Sequence, residues 1–114
     1  GGTEWVAICP LSRIPLESGV CAKVDGVQIA VFRIRADQVY ALSNYDPFSG
    51  TYILSRGLVG DKGGVLKVAS PLYKHNFALE TGQCLSVNGT RIPTYPVRVW
   101  EGEIQVMSTP RPRD

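Results

Sequence analysis

Nowhere along this chain do apolar residues recur at i, i+3, i+4 and i+7 for three consecutive turns, so no amphipathic helix of ordinary length is open to it. Valine, isoleucine, tyrosine and tryptophan come instead in short runs separated by turn-forming residues, the pattern of strands. That restricts the chain to an all-β architecture, an antiparallel sandwich or barrel. The clearest local unit is 20–24 followed by 27–34, joined by Asp25-Gly26, because aspartate and glycine tolerate the positive φ of a type I′ turn. A second hairpin joins 95–100 to 104–107 around Glu101-Gly102. Further strands are expected at 5–9, 39–43, 65–69 and 75–79, the last two separated by the break at Ser70-Pro71.

Between 44 and 64 the alternation is lost and Asn, Asp, Pro, Ser and Gly gather, leaving room for one short helical turn at 54–56. A loop of that length in a compact domain usually has a function. No repeat, linker or low-complexity segment marks a second unit, so a single domain over 1–114 is expected. A chain of this size buries roughly two-thirds of its unfolded surface and needs neither disulfide nor metal to form a core. The tail at 108–114 is basic and rich in proline, and is expected to fray.

Charge and cysteine content remove several functional classes. Twelve basic against ten acidic residues leave a net charge of +2, too little to mark nucleic acid or an anionic membrane as a partner. A free-standing β-barrel module for single-stranded nucleic acid, one alternative for a domain of this kind, pairs its aromatic platforms with a clearly basic groove. The longest nearly apolar stretches, such as 27–34, are far short of the ~20 residues that span a bilayer, and no signal-peptide layout opens the chain. A cytoplasmic, soluble protein is expected. Cys9, Cys21 and Cys84 are odd in number, widely spaced and without a Cys-x-x-Cys pair, so buried free thiols are expected rather than a zinc knuckle or a disulfide framework. No Gly-x-Gly-x-x-Gly loop is present for a dinucleotide.

Two segments stand apart from the strands: Ala41-Leu-Ser-Asn-Tyr-Asp-Pro-Phe-Ser-Gly50, and Ala69-Ser-Pro-Leu-Tyr-Lys-His-Asn-Phe-Ala-Leu-Glu-Thr-Gly82. They resemble the two cluster-binding loops of Rieske ferredoxins, with Cys-Pro-His in the first and Cys-Pro-x-His in the second. Pro47, Pro71, Phe77 and the Thr81-Gly82 turn fall where that family has them. At the ligand positions stand Asp46 and Ser70 in place of cysteine, and Phe48 and Tyr73 in place of histidine. A Rieske centre takes two thiolates on one iron and two imidazoles on the other. Phenylalanine ligates nothing, and replacing all four donors removes the site. A Rieske-type electron-transfer ferredoxin is therefore nearly excluded, and no metal or cofactor is expected in the chain. His75, the only histidine, falls two residues past the second ligand position, and is expected on the strand as a surface or partly buried side chain without a catalytic role.

Asn44-x-Asp-Pro-Phe48, Leu54-Ser-Arg-Gly-Leu58 and Ala69-Ser-Pro-Leu72, followed by Phe77, Gly82 and Cys84, resemble more specifically the small subunits of NAD(P)H-dependent nitrite reductases. That resemblance implies a Rieske-like fold without the cluster. It also implies a non-catalytic subunit required by a large subunit that carries the flavin, the siroheme, the iron-sulfur centre and the NAD(P)H site for reducing nitrite to ammonia in nitrogen metabolism. With the ligands gone, Phe48 and Tyr73 are expected to fill the volume between the loops. Asp46 is either a hydrogen-bond acceptor across that gap, from Ser70, the Tyr73 hydroxyl or loop backbone, or a plain turn residue before Pro47. In cluster-bearing relatives the loop tip docks on redox partners. Tyr45, Tyr52, Arg56, Tyr73 and Lys74 give the tip the composition of an interface and are its candidate partner-binding residues, with core filling the rival role for Tyr73.

Overall fold

The computed structural model describes residues 2–112. Eleven strands make it an all-β structure: β1 (Val6–Pro10), β2 (Ser18–Val24), β3 (Val27–Arg35), β4 (Gln38–Ser43), β5 (Tyr45–Asp46), β6 (Thr51–Tyr52), β7 (Leu58–Lys62), β8 (Val65–Ala69), β9 (Asn76–Ala78), β10 (Val97–Trp100) and β11 (Glu103–Val106). They form antiparallel sheets in the orders β2-β3-β4, β1-β11-β10 and β7-β8-β9, with β5-β6 a two-stranded ribbon. The only helical pieces among the described residues are the 3-10 turns Leu11–Arg13 and Leu54–Arg56, the second where the sequence leaves room for it.

β3 organises the molecule because both its faces are covered. Ala30, Phe32 and Ile34 point into one core with Leu42, Leu54, Val68, Phe77 and Leu79, so that β2-β3-β4 packs on the sheet that carries the second loop. Ile29 and Val31 point the other way, into a core shared with Ile14, Ala41, Tyr95, Ile104 and Val106 beside β1-β11-β10. A strand buried on two sides reads as a continuous apolar run, which is what Ile29 to Phe32 supplies at the centre of β3. The hairpin register follows from its turn: Asp25 at φ 51° and Gly26 at φ 80° close the pair Val24↔Val27 in the expected mirror-image turn. Glu101 and Gly102, at φ 50° and 76°, do the same for Trp100↔Glu103.

The departures from expectation are local. Residues 58–62, placed in a long loop by their glycine and aspartate, form β7 and pair with β8 from Leu58↔Ala69 to Lys62↔Val65. β9 begins at Asn76, so His75 lies at the end of the second loop and not on the strand. Of the three cysteines only Cys84 is buried; Cys9 is half-buried and Cys21 exposed. Of the basic tail, the described part is hydrogen-bonded: Thr109 N-H donates to Gly2 O at 3.1 Å, Arg111 N-H to Thr94 O at 2.7 Å, and the Arg111 side chain reaches Glu80. No helix among the described residues is long and apolar enough to cross a membrane.

Candidate functional site

Buried polar groups are the natural place to look for a site in a protein whose core is otherwise apolar. Three of the four such side chains among the described residues, Asn44, Asp46 and Ser70, lie where the two loops meet. Asn44 ends β4 and holds the first loop closed. Its Oδ1 accepts from Ser55 N-H at 2.7 Å, and its Nδ2 donates to Tyr52 O at 3.1 Å and to Gln28 Oε1 at 3.2 Å. Its carbonyl accepts from Leu54 N-H at 3.1 Å. The outgoing and returning limbs of residues 44–55 are thus pinned to one side chain. An asparagine directly after the apolar run of β4 is the signal in the sequence; it opens the Asn44-x-Asp-Pro-Phe48 motif, whose pattern does not disclose this clasp.

Asp46 and Ser70 join the first loop to the second. Asp46 is fully buried and Ser70 nearly so, and the Ser70 hydroxyl donates to Asp46 Oδ2 in a short hydrogen bond. The other carboxylate oxygen accepts from Phe48 N-H at 2.9 Å. Burial by itself would raise the Asp46 carboxyl, but hydrogen bonds from Ser70, Phe48 and Ser49 outweigh it and hold the group below its ordinary value. Of the two roles open to Asp46, the structure thus selects the acceptor across the gap, fed by Ser70 and loop backbone. Ser70 also closes its own loop, donating its N-H to His75 O at 2.9 Å while its carbonyl accepts from Lys74 N-H at 3.1 Å.

The rings between the loops are not the expected pair. Phe48 is half-buried, stacked on His75 with centroids 3.8 Å apart and planes 10° from parallel, and packs toward Phe77 at 6.1 Å. Tyr73 turns outward, 64% exposed, and meets His75 only edge-on at 6.5 Å. His75 therefore takes the place expected for Tyr73, with its Nδ1 buried and without a hydrogen-bond partner. The cause lies in the backbone: Lys74 adopts φ 60°, a left-handed conformation that reverses the chain between the two side chains. Gly57, which follows the 3-10 turn, passes so close to β8 that an added Cβ would sit 2.6 Å from Val68 Cγ2 and collide with the Ala69 carbonyl. This contact seats the return of the first loop against the start of the second.

Around this framework the surface is apolar. Five of the nine exposed large hydrophobic side chains, Tyr45, Tyr52, Leu58, Leu72 and Tyr73, belong to the two loops or to the residue of β7 beside them. Tyr45 and Tyr52 face each other with centroids 5.1 Å apart across the β5-β6 ribbon. Arg56 and Lys74 are exposed at the edges. The structure thus brings the five candidate partner-binding residues to the neighbourhood of one tip, and adds Leu58 and Leu72, which the sequence offers only as loop leucines within the quoted motifs.

A family model described as the Rieske-like [2Fe-2S] domain matches residues 4–107. The nitrite reductase (NADH) small subunit of Escherichia coli (strain K12) is 42% identical over 105 residues, covering 91% of this chain and 97% of that one. The chain belongs to the nitrite reductase small-subunit family. The solution structure of the nitrite reductase [NAD(P)H] small subunit from Erwinia carotovora superposes with a TM-score of 0.80 at 41% identity, over 98% of this chain and 87% of that chain. The nitrite reductase [NAD(P)H] large subunit of Klebsiella oxytoca contains a segment 44% identical over 102 residues, which accounts for 90% of this chain and only 11% of that protein.

Membership of a family named for a [2Fe-2S] cluster raises the question whether these residues fit one. They do not. The four ligand positions offer a carboxylate, a phenyl ring, a hydroxyl and an outward-turned phenol, and the first and third of these are hydrogen-bonded to each other. Cys84 is packed in the core, Cys9 is on β1, and Cys21 on β2 reaches the loops through the Asn44 amide at 3.4 Å. Among the described residues no three His, Cys, Asp or Glu side chains are grouped to hold a metal ion. Soft thiolate and imidazole donors are what a Rieske centre requires, and the tip presents neither as a set.

Proposed function

We propose that this chain is the non-catalytic small subunit of a cytoplasmic NAD(P)H-dependent nitrite reductase. In this reading it binds no cluster and works by docking the tip formed by residues 44–58 and 70–75 on a large subunit that carries the flavin, the siroheme, the iron-sulfur centre and the NAD(P)H site. The observation that carries the proposal is the K. oxytoca large subunit, in which a segment related to this chain is part of the same polypeptide as the large subunit. Covalent linkage keeps that segment at a high effective concentration beside the remainder, the condition that favours a role through contact.

The donor chemistry agrees with a contact role. Reducing nitrite to ammonia takes six electrons carried by cofactors, and among the described residues no His, Cys, Asp or Glu group is arranged to hold a metal centre. What the tip offers instead is a preformed apolar surface rimmed by Arg56 and Lys74, the composition in which interface anchors are found. The test is a titration of the large subunit with wild-type chain and with a Tyr45→Ala/Arg56→Ala variant, following nitrite-dependent NAD(P)H oxidation. Truncating both anchors should weaken assembly by about 1–3 kcal/mol while the isolated domain stays folded. A large subunit fully active alone, or a variant that restores activity at the wild-type concentration, refutes the proposal.

A further inference from the structure

A second fixed arrangement of large side chains meets solvent away from the tip. On the sheet β1-β11-β10 the Arg98 guanidinium lies 4.4 Å from the centroid of the Trp5 ring and 4.9 Å from that of Trp100. These are the two tryptophans of the chain, and neither belongs to a core. Gln105, opposite Arg98 in the β10-β11 register, accepts from Arg98 Nε at 2.7 Å and fixes the cation between the indoles. Trp100 is nonetheless 52% exposed. A cation-π stack in water contributes little to stability, so folding alone gives weak reason to place both tryptophans there. Tryptophan and arginine held rigid at a surface are the residues that most often dominate binding between proteins.

The place where a relative's polypeptide continues from this sheet indicates which protein that is. β1 pairs with β11 at Val6↔Val106, and Thr109 N-H donates to Gly2 O, so the segments preceding β1 and following β11 run side by side next to Trp5. In the K. oxytoca large subunit the related segment is a small part of a longer polypeptide, which continues before β1, after β11 or both. In that protein the remainder of the polypeptide therefore starts from the edge of the domain that carries Trp5.

We infer that the Trp5–Arg98–Trp100 stack is a second contact with the nitrite reductase large subunit, separate from the loop tip. Its partner surface is an apolar side chain that covers the Trp100 face together with a carboxylate or carbonyl that receives the edge of the guanidinium. The inference rests on the reading of the chain as that enzyme's small subunit, and its test separates the two. Wild type, Trp100→Ala and Tyr45→Ala/Arg56→Ala are each titrated into the large subunit, and Trp5 and Trp100 are probed by oxidative footprinting in the free chain and in the complex. Trp100→Ala should melt within a few degrees of wild type and bind about tenfold or more weakly. Both indoles should be protected in the complex. If Trp100→Ala binds like wild type and Trp100 stays reactive while the tip variant is impaired, the stack inference fails and the docking proposal stands. If Trp100→Ala only changes the sedimentation of the chain alone, the stack is a contact between copies and the inference is overturned. If wild type does not bind the large subunit at all, both readings fail.

Discussion

Replacing Ser70 by alanine isolates the link that joins the two loops. In the folded domain both Ser70 and Asp46 are cut off from water, and the carboxylate is held by the Ser70 hydroxyl on Oδ2 and by Phe48 N-H on Oδ1, with Ser49 adding to the hydrogen bonding. Ser70→Ala removes the first and leaves a buried charged oxygen without its donor, which costs about 1–3 kcal/mol. For a domain of this size each kcal/mol moves the melting temperature by roughly 4 °C, so a fall of about 4–12 °C is expected in thermal unfolding followed by circular dichroism. The pH dependence gives an independent check. Asp46 is held below its ordinary value of 3.8, so the folded form favours the ionised carboxyl more than the unfolded chain does. Its contribution is complete above about pH 5 and is lost as pH falls through the folded value. Wild type should therefore lose stability on acidification more steeply than Asp46→Asn, and the two should converge at low pH. A double-mutant cycle should show Ser70 and Asp46 coupled by about 0.5–3 kcal/mol. Ser70→Ala melting with wild type, or identical acid limbs for wild type and Asp46→Asn, would show that the loops are not joined in this way.

The rings of the tip separate by role. Phe48→Ala, which removes a half-buried ring from the face of His75 and the edge of the core, should lose about 2 kcal/mol in denaturant unfolding, less than the ~3–5 expected for a fully buried ring. Tyr73→Ala, whose ring is largely in water, should change stability by no more than about 0.5 kcal/mol. Gly57→Ala should destabilise by about 1–3 kcal/mol because the added methyl meets β8, and equal stability would show that the loop shifts freely. Anaerobic incubation with iron and sulfide, followed by desalting and metal analysis, should leave the chain colourless; two irons per chain with a visible absorbance band would overturn the reading of the donor set.

What the sequence disclosed and what it hid follow from the range of the interactions. The 24–27 and 100–103 turns are local, and two positive-φ residues at each specify the register of everything beside them. β3 was visible because burial on both faces needs consecutive apolar residues, here Ile29 to Phe32 within a nearly apolar stretch. β7 was hidden because Gly60, Asp61 and Lys62 have no intrinsic preference for a strand; pairing with β8 imposes it. The exchange of Tyr73 for His75 was also out of reach, since it depends on the left-handed turn at Lys74, and lysine carries no signal for that conformation. Cys21 faces solvent because it occupies an outward position of β2, and the sequence around it alternates too weakly to decide its side.

The loops explain how a Rieske-like tip persists without Rieske ligands. In a cluster-bearing domain the metal centre bridges the two loops and fixes them. Here three weaker devices together replace that bridge. Asn44 ties the limbs of the first loop, Asp46 and Ser70 tie the first loop to the second, and Phe48 with His75 fills the space between. The first two involve polar groups held away from water, where a satisfied hydrogen bond is strongest and a broken one costs most. Rigidity of this kind matters more for docking than for folding, because a surface already ordered loses less entropy when it binds. Substitutions at Asn44 or Ser70 should therefore weaken assembly with the large subunit even though neither side chain is exposed to touch it, whereas substitutions at Tyr45 or Tyr52 should weaken assembly and leave the melting temperature in place. The two classes are told apart by measuring both quantities for each variant. If Asn44→Ala lowers the melting temperature but binds at full affinity, the preorganisation argument is wrong and the exposed side chains alone determine docking.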